Sequence, residues 1–142
     1  MKYSTKVSDS VHILTMIAIN SDERLTSAQI AESIHTNAGC VRQLMSALRK
    51  ADLIVSVAGH PKPSLSKAAS EITLLDVYKA VEGDTPLLHL DTHTNPACGV
   101  GVNIQFALQD YFNDVQNAAE TSMSGITLQD IINRFYGKVG EI

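Results

Sequence analysis

The first fifty residues place apolar side chains at helical spacing in three successive blocks. Between Val7 and Asn20, the residues Val11, Leu14, Ile17 and Ala18 share one face, and Ser8 is the expected N-cap. The polar run from Asn20 to Arg24 predicts a loop. Thr26-Ser27-Ala28-Gln29 has the form of a capping box and opens a short second helix carrying Ile30, Ala31 and Ile34. His35 and Thr36 connect to Asn37, the expected cap of a third helix. There Val41, Leu44, Met45 and Leu48 follow the i, i+3, i+4, i+7 rule, and the helix runs to about Ala51.

After Asp52 the pattern changes. Leu53-Ile54-Val55-Ser56-Val57 is short and β-branched and predicts a strand. Gly59-His60-Pro61-Lys62-Pro63 cannot be helical, because each proline restricts the residue before it to extended backbone. Ser64 to Lys67 can return as a second strand. Three helices, a strand, a proline-bearing tip and a strand describe a winged helix-turn-helix, a mainly α fold with a small β wing. Thr73 then caps a fourth helix with Leu74, Val77, Tyr78 and Val81, which stops at Gly83.

From Asp84 to about Gly101 no period is visible, and a loop of that length points to function or disorder. A long helix follows from about Asn103 to Ser122. Its residues Ile104, Leu108, Tyr111, Val115, Ala118 and Ser122 keep near-heptad spacing, so the expected partner is the same helix of a second copy. Gly125 breaks it, and Thr127 to Ile132 makes a last short helix. The expected organisation is a DNA-binding head (1–83), a sensing loop (84–101), and a dimerisation helix with a C-terminal short helix (102–142). The chain shows no internal repeat and no low-complexity tract.

Composition narrows the function classes. The 142 residues are 44% hydrophobic, enough for a core without staples, and only Cys40 and Cys98 are cysteines. No apolar run reaches the roughly 18 residues of a membrane span. No signal-peptide pattern opens the chain, so a cytoplasmic location is expected. The net charge of −4 argues against a coat of nucleic acid, but it is unevenly divided. Residues 1–67 carry eight Lys/Arg against five Asp/Glu (+3), and residues 68–142 carry three against ten (−7). A basic front half with an acidic rear half fits a small specific reader of DNA.

In a helix-turn-helix the second helix of the motif enters the major groove. With Val41, Leu44, Met45 and Leu48 turned inward, the third helix presents Ala38, Gly39, Arg42, Gln43, Ser46 and Arg49, with Asn37 at its cap. Arg and Gln suit bidentate contacts to guanine and adenine edges, and the small Ala38 and Gly39 permit close approach. Ser27 and Gln29 begin the preceding helix, where free amides meet phosphate. His60 and Lys62 at the wing tip can reach the next groove or its phosphates.

Three stretches resemble the Rrf-two family of bacterial winged-helix regulators, which includes an iron–sulfur cluster regulator and a nitric-oxide-sensitive repressor. They are Leu25 to Glu32, Leu48 to Ser56, and Ile72-Thr73-Leu74-Leu75-Asp76-Val77-Tyr78-Lys79-Ala80-Val81-Glu82-Gly83, and the likeness continues to Ile126-Thr127-Leu128-Gln129-Asp130-Ile131. The resemblance implies a homodimer joined by the long helix, a palindromic operator on double-stranded DNA, and an effector-sensing loop before that helix. The departures are specific. Where the family commonly reads Ser-x-x-Tyr-Leu-Glu, this chain has Asn37, Cys40, Val41 and Arg42. Its wing is Ala58-Gly59-His60-Pro61-Lys62-Pro63 in place of Arg-Gly-x-x-Gly-Gly. Cluster-binding members carry three cysteines in the loop, and here there is Cys98 alone.

That donor set predicts a member without the cluster, and no cofactor is expected. His89 and His93 with Cys98 could bind zinc or copper, which keeps a metal-responsive regulator as an alternative. The expected control is by thiol redox chemistry or by a small effector. Cys40 sits near the N-terminus of the reading helix, where the helix dipole favours thiolate, and Cys98 lies in the sensing loop. Oxidation joining Cys98 of one subunit to Cys40 of the other would displace the reader. His89, Asp91, His93 and Cys98 could also supply a nucleophile and base. With no phosphate loop, nucleophile elbow or paired carboxylates, an enzyme is not expected and no catalytic residue is assigned. The remaining alternative is a winged-helix interaction module that has lost DNA binding.

Overall fold

The computed structural model describes residues 3–20, 24–56 and 62–140. Helices α1 (Lys6–Ile19), α2 (Ser27–Ile34) and α3 (Ala38–Lys50) precede strands β1 (Ile54–Val55) and β2 (Ser64–Leu65). A short 3-10 turn (Ala69–Glu71) leads into α4 (Leu74–Glu82), the long α5 (Gly99–Ser124) and α6 (Leu128–Gly140). The strands pair antiparallel, Ile54 opposite Leu65 and Val55 opposite Ser64. This is the winged helix-turn-helix that the hydrophobic pattern anticipates.

Local chemistry sets most of the boundaries. At the start of α2 both bonds of the capping box form: the Gln29 amide donates to Thr26 Oγ1 (3.2 Å) and the Thr26 amide to Gln29 Oε1 (2.9 Å). Asn37 caps α3, its Oδ1 accepting from the Cys40 amide at 2.8 Å. Between these helices His35 adopts a left-handed conformation (φ 68°, ψ 50°), which turns the chain sharply. At α1 the expectation fails. Ser8 lies inside the helix, because the Asp9 amide already bonds the Thr5 carbonyl at 2.8 Å and closes the first turn earlier.

One core holds the head together. Ile13, Leu14 and Ile17 from α1 meet Ile30 from α2, Val41, Met45 and Leu48 from α3, and Val77 from α4. Helix α6 also enters it through Leu128 and Ile132. It is a full helix of 13 residues and docks on the head, rather than standing as a short appendage beside α5.

The docking of α6 has a local cause. Ile72-Thr73-Leu74-Leu75-Asp76 and Ile126-Thr127-Leu128-Gln129-Asp130 share one pattern too short to register as a repeat, and the fold sets them side by side. The Leu74 amide bonds the Ile126 carbonyl and the Leu128 amide bonds the Ile72 carbonyl, each at 2.8 Å. In each segment Thr and Asp cap one another, Thr73 with Asp76 and Thr127 with Asp130. Two helix starts are thereby satisfied within a single bridge.

The long helix departs from expectation at its beginning. It starts at Gly99 and not near Asn103, so Gly99 and Gly101 are helical and Cys98 occupies the cap position. Glycine lowers the sequence signal for helix, but Gly101 has a packing reason. A Cβ there would come 3.3 Å from the Asn95 carbonyl oxygen, which folds over this turn. No residue of α5 is buried.

Candidate nucleic-acid interface

The reading helix is held from behind and open in front. Val41 and Leu48 are wholly buried and Met45 nearly so, while Leu44 is half-buried. Arg42, Gln43 and Arg49 are exposed and Gly39 and Ser46 are half-buried, whereas Ala38, one of the anticipated contacts, is half-buried and packs against the core. Arg42, Ser46 and Arg49 form one stripe at i, i+4 and i+7. The polar groups of this stripe are the kind that contact base edges and phosphates in a major groove.

Several of the anticipated contacts also do structural work. The carbonyl oxygens of Gln29 and Asn37 are engaged as caps, leaving their amide NH₂ groups to face outward chemistry. A Cβ on Gly39 would lie 3.1 Å from Asn37 Oδ1, so glycine here admits the cap as well as a close approach. Ser27 is half-buried at the start of α2 and Lys62 is exposed before β2. His60 lies outside the described residues. Arg49 Nε donates to Ser56 Oγ at 2.8 Å, a partner for which the sequence carries no signal, since Ser56 is simply the polar residue ending a strand.

Behind the head, residues 84–98 are tied at their start to α4 and α5. Tyr78 Oη donates to the Thr85 carbonyl (2.7 Å), and the Leu87 amide donates to Gln116 Oε1 (2.9 Å). Gln116 Nε2 donates to Tyr78 Oη (3.1 Å) and to Glu120 Oε2 (2.9 Å), and Glu120 pairs with Lys79 at 3.0 Å. One glutamine of α5 therefore joins the loop to α4 of the head. The Gln116 amide and Lys79 hold the Glu120 carboxyl below its ordinary value, and Glu120 raises Lys79. Sequence reading missed this cluster because Tyr78 and Gln116, at its centre, are 38 residues apart along the chain.

Cys40 and Cys98 are both exposed free thiols. Cys98 stands at the first turn of α5, where the Gly101 and Val100 amides lower its thiol from the ordinary value. His93 and Asp91 lie close, Nδ1 to Oδ1 at 3.7 Å, both well exposed. Among the described residues no three His, Cys, Asp or Glu side chains converge as a metal site, so His89, His93 and Cys98 are not brought together within this chain. Along α5, Ile104, Tyr111, Val115 and Ala118 are exposed and Leu108 is half-buried. No helix among the described residues is long and apolar enough to cross a membrane.

A family model described as Rrf2, iron-dependent transcriptional regulator, matches residues 3–134. The chain belongs to the Rrf2 family. Bacillus subtilis (strain 168) YwnA, named as an HTH-type transcriptional regulator, is 38% identical over 133 residues, spanning 94% of this chain and 98% of YwnA. A solved structure described as a DNA-binding protein is also 38% identical, with a TM-score of 0.73 over 89% of this chain and 98% of that one. The fold is shared at 22% identity with CymR, the global cysteine regulator of B. subtilis, with a TM-score of 0.66 over 94% and 97% of the two chains. This Rrf2 protein is a DNA-binding transcriptional regulator and not an enzyme. Its residues do not fit an iron–sulfur cluster, which needs several thiolates where residues 84–101 offer Cys98 alone.

Proposed function

We propose that this Rrf2 protein is a cytoplasmic homodimeric repressor that grips a palindromic operator with two winged heads. Release follows when an oxidant or small effector acts on residues 84–101. The observation that carries the reading is the contrast in exposure between two helices. α3 turns its apolar side into the head and its Arg42, Gln43 and Arg49 outward, while α5 turns Ile104, Tyr111, Val115 and Ala118 to solvent. An apolar stripe of that length on a helix of about 39 Å is complementary to a second copy of itself.

The contacts across subunits would be made by Ile104, Leu108, Tyr111, Val115 and Ala118. DNA would be met by Ser27, Gln29, Asn37, Ala38, Gly39, Arg42, Gln43, Ser46, Arg49, His60 and Lys62. A two-state mechanism needs a link between sensor and reader. Gln116 supplies its chemistry, since it bonds Leu87 of the loop and Tyr78 of α4 at once. Cys98, lowered by its helix amides, is the group on which an oxidant would act, with Cys40 of the second subunit as the partner thiol.

The test begins with duplexes selected by the protein from a randomised pool. Inverted repeats with half-site centres about 34–36 Å apart, bound by two chains, are expected; single half-sites bound by one chain refute the dimer. Non-reducing electrophoresis after disulfide stress then examines the switch. A cross-linked dimer should form in the wild type, and one that persists in Cys40→Ser or Cys98→Ser rejects the pairing. Transcription from a reporter carrying the selected site should rise when the protein is removed.

A further inference from the structure

We propose that Ser56 is a positioning residue for DNA binding, its hydroxyl holding the Arg49 guanidinium end-on toward a phosphate of the duplex. The inference rests on the α3 surface being the DNA-binding face. Arg49 Nε donates to Ser56 Oγ at 2.8 Å. A guanidinium has five N–H donors, so the four on Nη1 and Nη2 remain, arranged as the fork that matches two phosphate oxygens. Arg49 belongs to the last turn of α3, and the base-reading residues of such a helix lie toward its N-terminal end. Phosphate is therefore the group this fork meets.

Both ends of the bond stand on fixed backbone. Leu48, directly before Arg49, is wholly buried, and Leu53 and Ile54, just before Ser56, are 2% and 1% exposed. The bond itself lies toward solvent, between an exposed arginine and a half-buried serine. Water competes for such a bond, so it adds little to folding. Its effect is to remove rotamer freedom from a long side chain before DNA arrives, which improves affinity by lowering the ordering cost of binding.

The experiment measures dissociation constants for a duplex the wild type has selected from a randomised pool and for an unrelated duplex at low salt. Wild type, Ser56→Ala, Ser56→Thr, Arg49→Ala and the Ser56→Ala/Arg49→Ala double variant are compared, with thermal melting alongside. Ser56→Ala should weaken both duplexes alike, by about three- to tenfold, with melting unchanged. Ser56→Thr, which keeps the hydroxyl, should restore binding to within about twofold, and the double variant should bind no worse than Arg49→Ala. Wild-type affinity in Ser56→Ala, a loss confined to the selected sequence, a loss that threonine does not repair, or additive losses in the double variant would each overturn the assignment. A wild-type protein that selects no duplex overturns the DNA face and Ser56 together, whereas wild-type binding with an indifferent Ser56→Ala removes Ser56 alone.

Discussion

Helices α3 and α5 carry the same kind of apolar spacing and meet different fates. In α3 the stripe of Val41, Met45 and Leu48 is buried by α1, α2 and α4, and the polar face is left for another molecule. In α5 the inner side touches α4 through Gln116 and Glu120, while the apolar stripe of Ile104, Tyr111 and Val115 remains outside. Periodicity announces that a face must be covered; it is silent on whether the cover comes from the same chain. A head closed upon itself and a helix left open are what the proposed dimer would use.

The largest effect is expected in α3. Leu48→Ala empties a fully buried position and should lower the stability of the head by about 2–5 kcal/mol in urea unfolding. A loss under about 1 kcal/mol would mean the core is not closed as described. The counterpart in α5 is Val115→Asp, which should leave head stability nearly unchanged and weaken self-association by about thirtyfold or more, as for an interface hot spot. Sedimentation equilibrium reads this directly. Equal association in both proteins places the dimer contact elsewhere.

The joint between the two regions should respond less. Thr127→Ala removes the cap that starts α6 and should cost about 0.5–2 kcal/mol, visible as earlier hydrogen exchange in α6 than in α3. The carboxyls give a pH signature with a definite sign. Glu120 and Asp130 are held below their ordinary values, so their contribution is complete above about pH 5 and fades as pH falls through the lowered values. Lys79 is raised, so its share persists through neutrality and fades only above the usual lysine range. Glu120→Gln should flatten the acid limb of a pH–stability curve; an unchanged limb removes the Lys79–Glu120 pair from the joint.

The smallest effect concerns Cys98. Its rate of alkylation against pH should rise at a lower midpoint in folded protein than in 8 M urea, since the Gly101 and Val100 amides act only when α5 is formed. Coincident curves would show that the turn does not shape the thiol.

Much of the head was legible because its signals are short in range. The Thr26–Gln29 box, the Asn37 cap and the Val41 to Leu48 stripe each involve residues within about two helical turns, and each stands where the pattern puts it. The start of α5 was misplaced because Gly99 and Gly101 have poor helix propensity, and only the overlying Asn95 explains their place. Ser56 and Gln116 were invisible for a related reason. Neither residue type nor spacing marks them: Arg49 reaches Ser56 only across the turn from helix to strand, and Tyr78 lies 38 residues from Gln116.

By itself the sequence determined the kind of protein: a helical head with a small wing, a basic front and acidic rear, and a long amphipathic helix in need of a cover. Those are properties of local spacing, capping and charge, which act between near neighbours. Only the tertiary structure decided that α6 returns to the head, that twin Ile-Thr-Leu-x-Asp segments join it there, and that Gln116 bonds loop and head together. Those arrangements depend on hydrogen bonds and burial between parts of the chain far apart in order, and they exist once the whole core has closed.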